Sequence, residues 1–88
     1  MKRWTQIFKA LANINRLKII KLLSASGQMT VSDISHEIKV SLKGTSKHLI
    51  ILHNLDVLTS QGRDGYVYYD FNRGLPSDIK RVVELFLK

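Results

Sequence analysis

The sequence predicts a mainly α-helical domain with one small β-hairpin, its elements running α-α-α-α-β-β-α. Three observations carry this. Apolar residues recur at helical spacing over most of the first 55 positions, with breaks at residues 24–27 and at Val40-Ser41. The period then changes at Val57-Leu58-Thr59-Ser60, and Asp64-Gly65 precedes the β-rich run YVYYDF, the pattern of a tight hairpin. A last helical repeat, Ile79, Val82, Val83, Phe86 and Leu87, follows Pro76.

Trp4, Ile7, Phe8 and Leu11 define a short amphipathic helix over about residues 3–12. It is either a core helix capping the domain or one that packs on a second subunit. Asn13 is the expected N-cap of the next helix. Leu17, Ile20 and Leu23 form its buried stripe, flanked by Ile14 and Ile19, while Arg16, Lys18 and Lys21 point elsewhere. That helix stops at residues 24–27, with Gly27 in the stop position. Thr30 and Asp33 have capping-box-like spacing, with Asp in place of Glu or Gln. Val31, Ile34 and Ile38 then give a short third helix ending near Lys39, and Val40-Ser41 link it to the next.

Residues 41–55, SLKGTSKHLIILHNL, are the stretch around which the chain is organised. Ser41 stands at the N-cap, its hydroxyl placed to accept from a free backbone N–H. Thr45, His48, Leu49, Ile51, Leu52 and Leu55 fall on one side, and Lys43, Ser46, Lys47, Ile50 and Asn54 on the other. With no acidic residue, this helix is suited to lie against phosphates. Two short helices joined by a tight turn, the second basic, form a helix-turn-helix pattern. The hairpin that follows, with Arg63 near its tip, makes the pattern a winged one. Residues 72–76 are a linker. Ser77 or Asp78 opens the final helix, with Asp78 at its positive end and Lys88 at the other.

Eighty-eight residues make a single domain, 1–88. A chain this short buries only about 60% of its unfolded surface. It has no cysteine, hence no disulfide and no thiolate zinc site. Self-association is the remaining source of burial. The first and last helices are both too greasy for lone terminal elements, so they are expected to form a homodimer seam (about 3–12 and 77–88) through Trp4, Ile7, Phe8, Leu11, Ile79, Val82, Val83 and Phe86.

Fourteen Lys and Arg against seven Asp and Glu leave a formal charge of +7. That field attracts polyanions, nucleic acid before an anionic membrane. No apolar run approaches the ~20 residues of a membrane span, and no long apolar segment follows MKRWTQIF, so a cytoplasmic location is expected. Nothing points to an enzyme or a cofactor. Ser46 and His48 lie on different helix faces, and no phosphate-cradling glycine loop is present.

The candidate DNA contacts are Ser41, Lys43, Gly44, Ser46 and Lys47 on the basic helix and Arg63 on the hairpin. Lysine reaches phosphates or guanine O6 and N7, and serine reaches phosphates or either base edge. Gly44 allows close backbone approach, at a cost of about 1 kcal/mol of helix stability relative to Ala. Leu42 either touches a thymine methyl or joins the core, with core favoured. His48 reads as a packing histidine. His53 serves the last helix carbonyls or stays in solvent. Asp33, His36 and Glu37 share part of a helix face but read as solvated surface, not a metal site. Arg63 enters a minor groove or pairs with phosphate.

Taken in order, these segments resemble the ArsR (arsenical-repressor type) family of winged-helix transcriptional regulators. Residues 8–13 and Arg16-Leu17-Lys18-Ile19 resemble its opening "FKALAxxxRLxIL". Thr30-Val31-Ser32-Asp33-Ile34 resembles "TVxEL". Ser41, with Ser46-Lys47-His48-Leu49 and Leu52, resembles "LSxSxVSxHLxxL". Gly65-Tyr66-Val67-Tyr68-Tyr69 resembles the wing ending "GxxVYY". The match spans residues 5–71. It implies a homodimer on a pseudo-palindromic double-stranded DNA operator, acting as a repressor released by a signal, often a metal. The metal part does not carry over. The family's thiolate site falls on Thr30 and Ser32, and its second site meets Asp78 and Glu84 with no histidine. Asp56 stands where the family commonly has a glycine. The effector stays open between a small organic molecule, a partner protein and concentration alone. The alternative reading is a winged-helix interaction or architectural module that binds DNA without sequence preference.

Overall fold

The computed structural model describes residues 2–87. Its elements run α1 (Lys2–Leu11), α2 (Ile14–Ser26), β1 (Met29–Thr30), α3 (Val31–Ile38), α4 (Leu42–Asn54), β2 (Leu58–Arg63), β3 (Tyr66–Phe71) and α5 (Ser77–Phe86).

Local chemistry sets most boundaries. Asn13 is extended, and its Oδ1 accepts from the backbone N–H of Asn15 and Arg16 at 3.0 and 3.1 Å, satisfying two of the donors that α2 leaves free. At the other end, Gly27 takes φ +81° and its N–H donates to the Leu23 carbonyl at 2.9 Å. Thr30 caps α3 by accepting from Asp33 N–H at 3.2 Å. Ser41 caps α4 by accepting from Gly44 N–H at 3.1 Å. Helix α5 starts differently. Pro76 occupies the cap position without a side-chain bond, Ser77 is already helical, and Asp78 accepts from Ile79 N–H at 2.8 Å. Lys88 lies outside the described residues.

The hairpin pairs Arg63 with Tyr66 across Asp64 and Gly65, which take φ +53° and +80°. Two successive left-handed residues match the right-handed twist of the strands. Asp56 is also left-handed, φ +62°, so an aspartate serves where a glycine would be freer. The one element not anticipated is β1. Met29 and Thr30 pair with Tyr69 and Tyr68, giving a three-stranded antiparallel sheet in the order β1-β3-β2. Two residues are too few to show a period, and their partners are distant in sequence.

The core gathers one stripe from each helix: Ile7 and Leu11, Ile19, Ile20 and Leu23, Ile34, Leu49 and Leu52, and Val83, closed by Val57 and Leu58. This corrects half of the expected seam. Ile7, Leu11 and Val83 are fully buried and Ile79 is 5% exposed within one chain, because each terminal helix must first bury a stripe against its own domain. Trp4, Phe8, Val82 and Phe86 keep surface at or near the outside. Ile19, expected at the flank of α2, is fully buried, whereas Leu17 is only partly so.

Candidate nucleic-acid interface

Lys39 ends α3 in the left-handed conformation, φ +58°. The Ser35 hydroxyl donates to the Val40 carbonyl at 2.5 Å, and Val40 N–H returns to Ser35 O at 3.3 Å. This closed turn sets the angle between α3 and α4. Thr45, Leu49 and Leu52 then anchor α4 from beneath, each fully buried. The Thr45 hydroxyl is left without a hydrogen-bond partner.

The opposite face of α4 is open. Lys43 and Lys47 are exposed and Ser46 is half-buried. Among the described residues the ion pairs are Arg3–Asp56 and Arg73–Asp70, so no carboxylate neutralises either lysine. Ser41 is exposed, and although its oxygen accepts from Gly44, its hydroxyl proton stays available. Gly44 is half-buried against the turn. A Cβ there would lie 3.0 Å from Val40 Cγ1 and 3.1 Å from Ser41 Oγ, so the tight turn gives this glycine a packing reason of its own. Leu42 is 55% exposed, not in the core as favoured above: it is the first residue of α4, and the buried stripe of the helix starts a turn later at Thr45.

The wing is fastened to this helix. His53 Nε2 and the Ser60 hydroxyl are 3.1 Å apart, and the His53 ring meets Tyr69 edge-on at 6.2 Å. His53 therefore braces β2 and β3 instead of serving the last carbonyls. Asn72 Nδ2 donates to Asp56 O at 2.8 Å, closing the far end of the hairpin. At the near end, the Arg63 guanidinium lies 4.4 Å over the Tyr68 ring. The stacking holds the cation beside the strand next to the tip.

His48 is half-buried beside Arg16, whose Nη1 is 3.5 Å from His48 Nδ1 and whose Nε donates to Ala10 O at 2.7 Å. Burial lowers the His48 pKa from its usual 6.5, and the Arg16 charge lowers it further. The sequence reading placed Arg16 away from the core and missed this clamp. No local signal marks it, since both partners come from other helices. Among the described residues no three His, Cys, Asp or Glu side chains gather as a metal site, so Asp33, His36 and Glu37 form no cluster. Among the described residues no helix is long and apolar enough to cross a membrane.

A capped helix with an unneutralised basic face, set at a tight turn behind a short helix and flanked by a two-stranded wing, defines a winged helix-turn-helix DNA-binding regulator. Comparison with known proteins agrees. The arsR family of bacterial regulatory proteins matches residues 13–60. The transcriptional repressor SdpR of Bacillus subtilis is 33% identical over 72 residues, covering 82% of this chain and 79% of SdpR. The arsenical resistance operon repressor of the same organism is also 33% identical over 72 residues, 82% of this chain and 69% of its own length. Among solved structures, the homodimeric winged helix-turn-helix DNA-binding domain of Mb0332 from Mycobacterium bovis superposes with a TM-score of 0.79 at 27% identity, over 96% of this chain and 74% of that one. The chain belongs to the arsR family of bacterial regulatory proteins.

Proposed function

We propose that this protein is a homodimeric repressor that binds a two-fold symmetric operator in the bacterial cytoplasm and acts by occupancy, without catalysis. The observation that carries the reading is the exposed face of α4, where Lys43 and Lys47 stand one turn apart with no acidic residue anywhere on the helix. Residues 1–88 act as one domain. Two copies of α4 enter successive major grooves about 34 Å apart and exclude other proteins from the site. Ser41, Lys43, Ser46 and Lys47 supply phosphate and base contacts, with Gly44 holding the helix start against the turn. Arg63 grips the flanking backbone or minor groove.

The dimer reading is supported by what α1 and α5 leave uncovered. Trp4 and Phe8 stack at 5.8 Å, and Phe8 meets Phe86 at 6.2 Å. Phe8 is 45% exposed, and Leu85 on α5, which sequence reasoning did not single out, is 59% exposed. The Mb0332 domain is itself homodimeric.

Selection from a random duplex pool at near-physiological salt tests the proposal. An enriched palindrome with half-sites one helical turn apart is the expected result. Retention with no enriched motif would replace the operator reading with an architectural one.

A further inference from the structure

The outer face of α4 carries a second chemistry that charge does not explain. Leu42, in the first turn, is 55% exposed, and Ile50, two turns on, is 54% exposed. Ile50 lies seven residues beyond Lys43 and three beyond Lys47, so it shares their ridge. Leu42 lies four before Ser46 and shares that one. Ile50 therefore points off the helix with the two lysines, and Leu42 projects about 80° around the helix from it, on the side of Ser46; the basic face commits these exposed apolar groups to a polyanion.

The chemistry of base edges narrows the choice. In the major groove adenine presents N6 and N7, best met by a side-chain amide, and cytosine presents an N4 donor, met by a carboxylate. Positions 42–50 contain neither group. Asn54 is the helix's last residue, about 6 Å further along the axis than Ile50. What remains suits two bases. Lysine serves guanine O6 and N7, and an aliphatic side chain serves the thymine C5-methyl. The Ser46 hydroxyl donates or accepts and so selects no base by itself.

We infer that Leu42 and Ile50 read thymine methyl groups, so that each half-site sets thymines at fixed positions beside the guanines or phosphates met by Lys43 and Lys47. The two residues are separated by about 12 Å along the helix, so the two thymine positions fall a few base pairs apart. This inference rests on the operator reading proposed above.

The test uses the full chain and the duplex enriched by wild type. Each thymine in the motif is replaced in turn by deoxyuridine, which removes only the methyl group, and affinity is read by fluorescence anisotropy. Losing one buried methyl is expected to weaken binding by about 3–5-fold at two positions per half-site. Leu42→Ala and Ile50→Ala alter side chains that are more than half exposed, so both variants should stay folded, checked by thermal unfolding. Each should lose sensitivity to uracil at its own position and keep it at the other. A motif with no invariant thymine would overturn the inference. So would affinity indifferent to every uracil, or variants as sensitive as wild type. Those results leave the operator reading standing, whereas a wild-type pool with no motif removes both.

Discussion

Nη1 of Arg16 on α2 stands 3.5 Å from Nδ1 of His48 on α4, while Nε of the same guanidinium donates to Ala10 O at 2.7 Å. One side chain thus joins the end of α1 and the start of α2 to the middle of the recognition helix. A guanidinium has only donors, so this contact favours a neutral ring that accepts at Nδ1 and carries its proton on Nε2. Burial, and then the Arg16 charge, hold the folded pKa of His48 below its ordinary 6.5. The unfolded chain therefore takes up this proton at a higher pH than the folded chain does. The stability contribution is fully present above about pH 6.5, declines as pH falls below it, and is lost once pH passes the lowered folded value. Thermal unfolding between about pH 7.5 and about pH 5 is expected to show a falling Tm that His48→Gln flattens. Parallel curves for the two proteins would clear His48 of any part in acid sensitivity.

Gly44 offers a test of the turn. An exposed helical glycine replaced by alanine gains about 1 kcal/mol. Here the new Cβ meets Val40 Cγ1 at 3.0 Å and Ser41 Oγ at 3.1 Å, so Gly44→Ala is expected to give no gain, or a small loss. Ser41→Ala removes the cap and costs about 1 kcal/mol, but it also removes one of the two atoms in the way. A thermodynamic cycle should therefore show Gly44→Ala less harmful when Ser41 is absent. Strict additivity would mean that Val40 alone sets the limit.

Lys43 and Lys47 have no acidic partner, so removing them leaves no buried charge behind. Each Lys→Ala substitution should lower the slope of log affinity against log salt by about 1. The double variant should lose operator binding while its stability changes by less than about 0.5 kcal/mol. A folded double variant that binds undiminished would show that α4 is not the recognition helix.

Arg63 lies 4.4 Å over Tyr68, an exposed cation–π contact worth about 0.5–1 kcal/mol. The stacking narrows the positions the guanidinium takes before DNA arrives. Arg63→Ala should weaken binding to operator and to unrelated duplexes by similar factors, since phosphate contacts carry no sequence information. Tyr68→Leu keeps the arginine but removes its platform and should show a milder form of the same loss. An effect confined to one duplex sequence would instead assign Arg63 to groove readout.

Elements whose cause is local were legible in the sequence. Asn13, Thr30 and Ser41 cap the helices they were expected to cap, and Asp64-Gly65 turns the hairpin as its dipeptide demands. Features whose partners lie far along the chain were not: β1 against β3 and Arg16 with His48. His53 with Ser60 spans only seven residues, but it joins a helix to a strand and no single period relates them. Leu42 shows the limit most clearly. At 100° per residue it falls only about 20° from the buried Leu49, which is in keeping with the core reading favoured for it over a thymine contact. Its exposure follows from its place at the first position of α4, one turn before the buried stripe begins at Thr45, which is a fact of packing. The terminal helices failed in the opposite sense. Their wide apolar faces were legible, but the division between Ile7, Leu11, Ile79 and Val83 inside and Phe8 and Phe86 outside required the fold.

That division makes the dimer seam testable. Phe8 and Phe86 are 45% and 40% exposed and meet at 6.2 Å, whereas Ile7, one residue away from Phe8, is fully buried. Phe8→Glu should therefore leave the domain folded and separate the subunits, while Ile7→Glu should unfold it. A two-fold interface contains each substitution twice. Withdrawing two phenylalanines from apolar burial costs about 3 kcal/mol or more, at least about a hundredfold in the dimer dissociation constant. Sedimentation equilibrium reads that shift directly, and operator affinity should fall with it because one recognition helix would have to bind without its twin. A Phe8→Glu protein that stays dimeric would move the seam away from α1, onto the Leu85 side of α5.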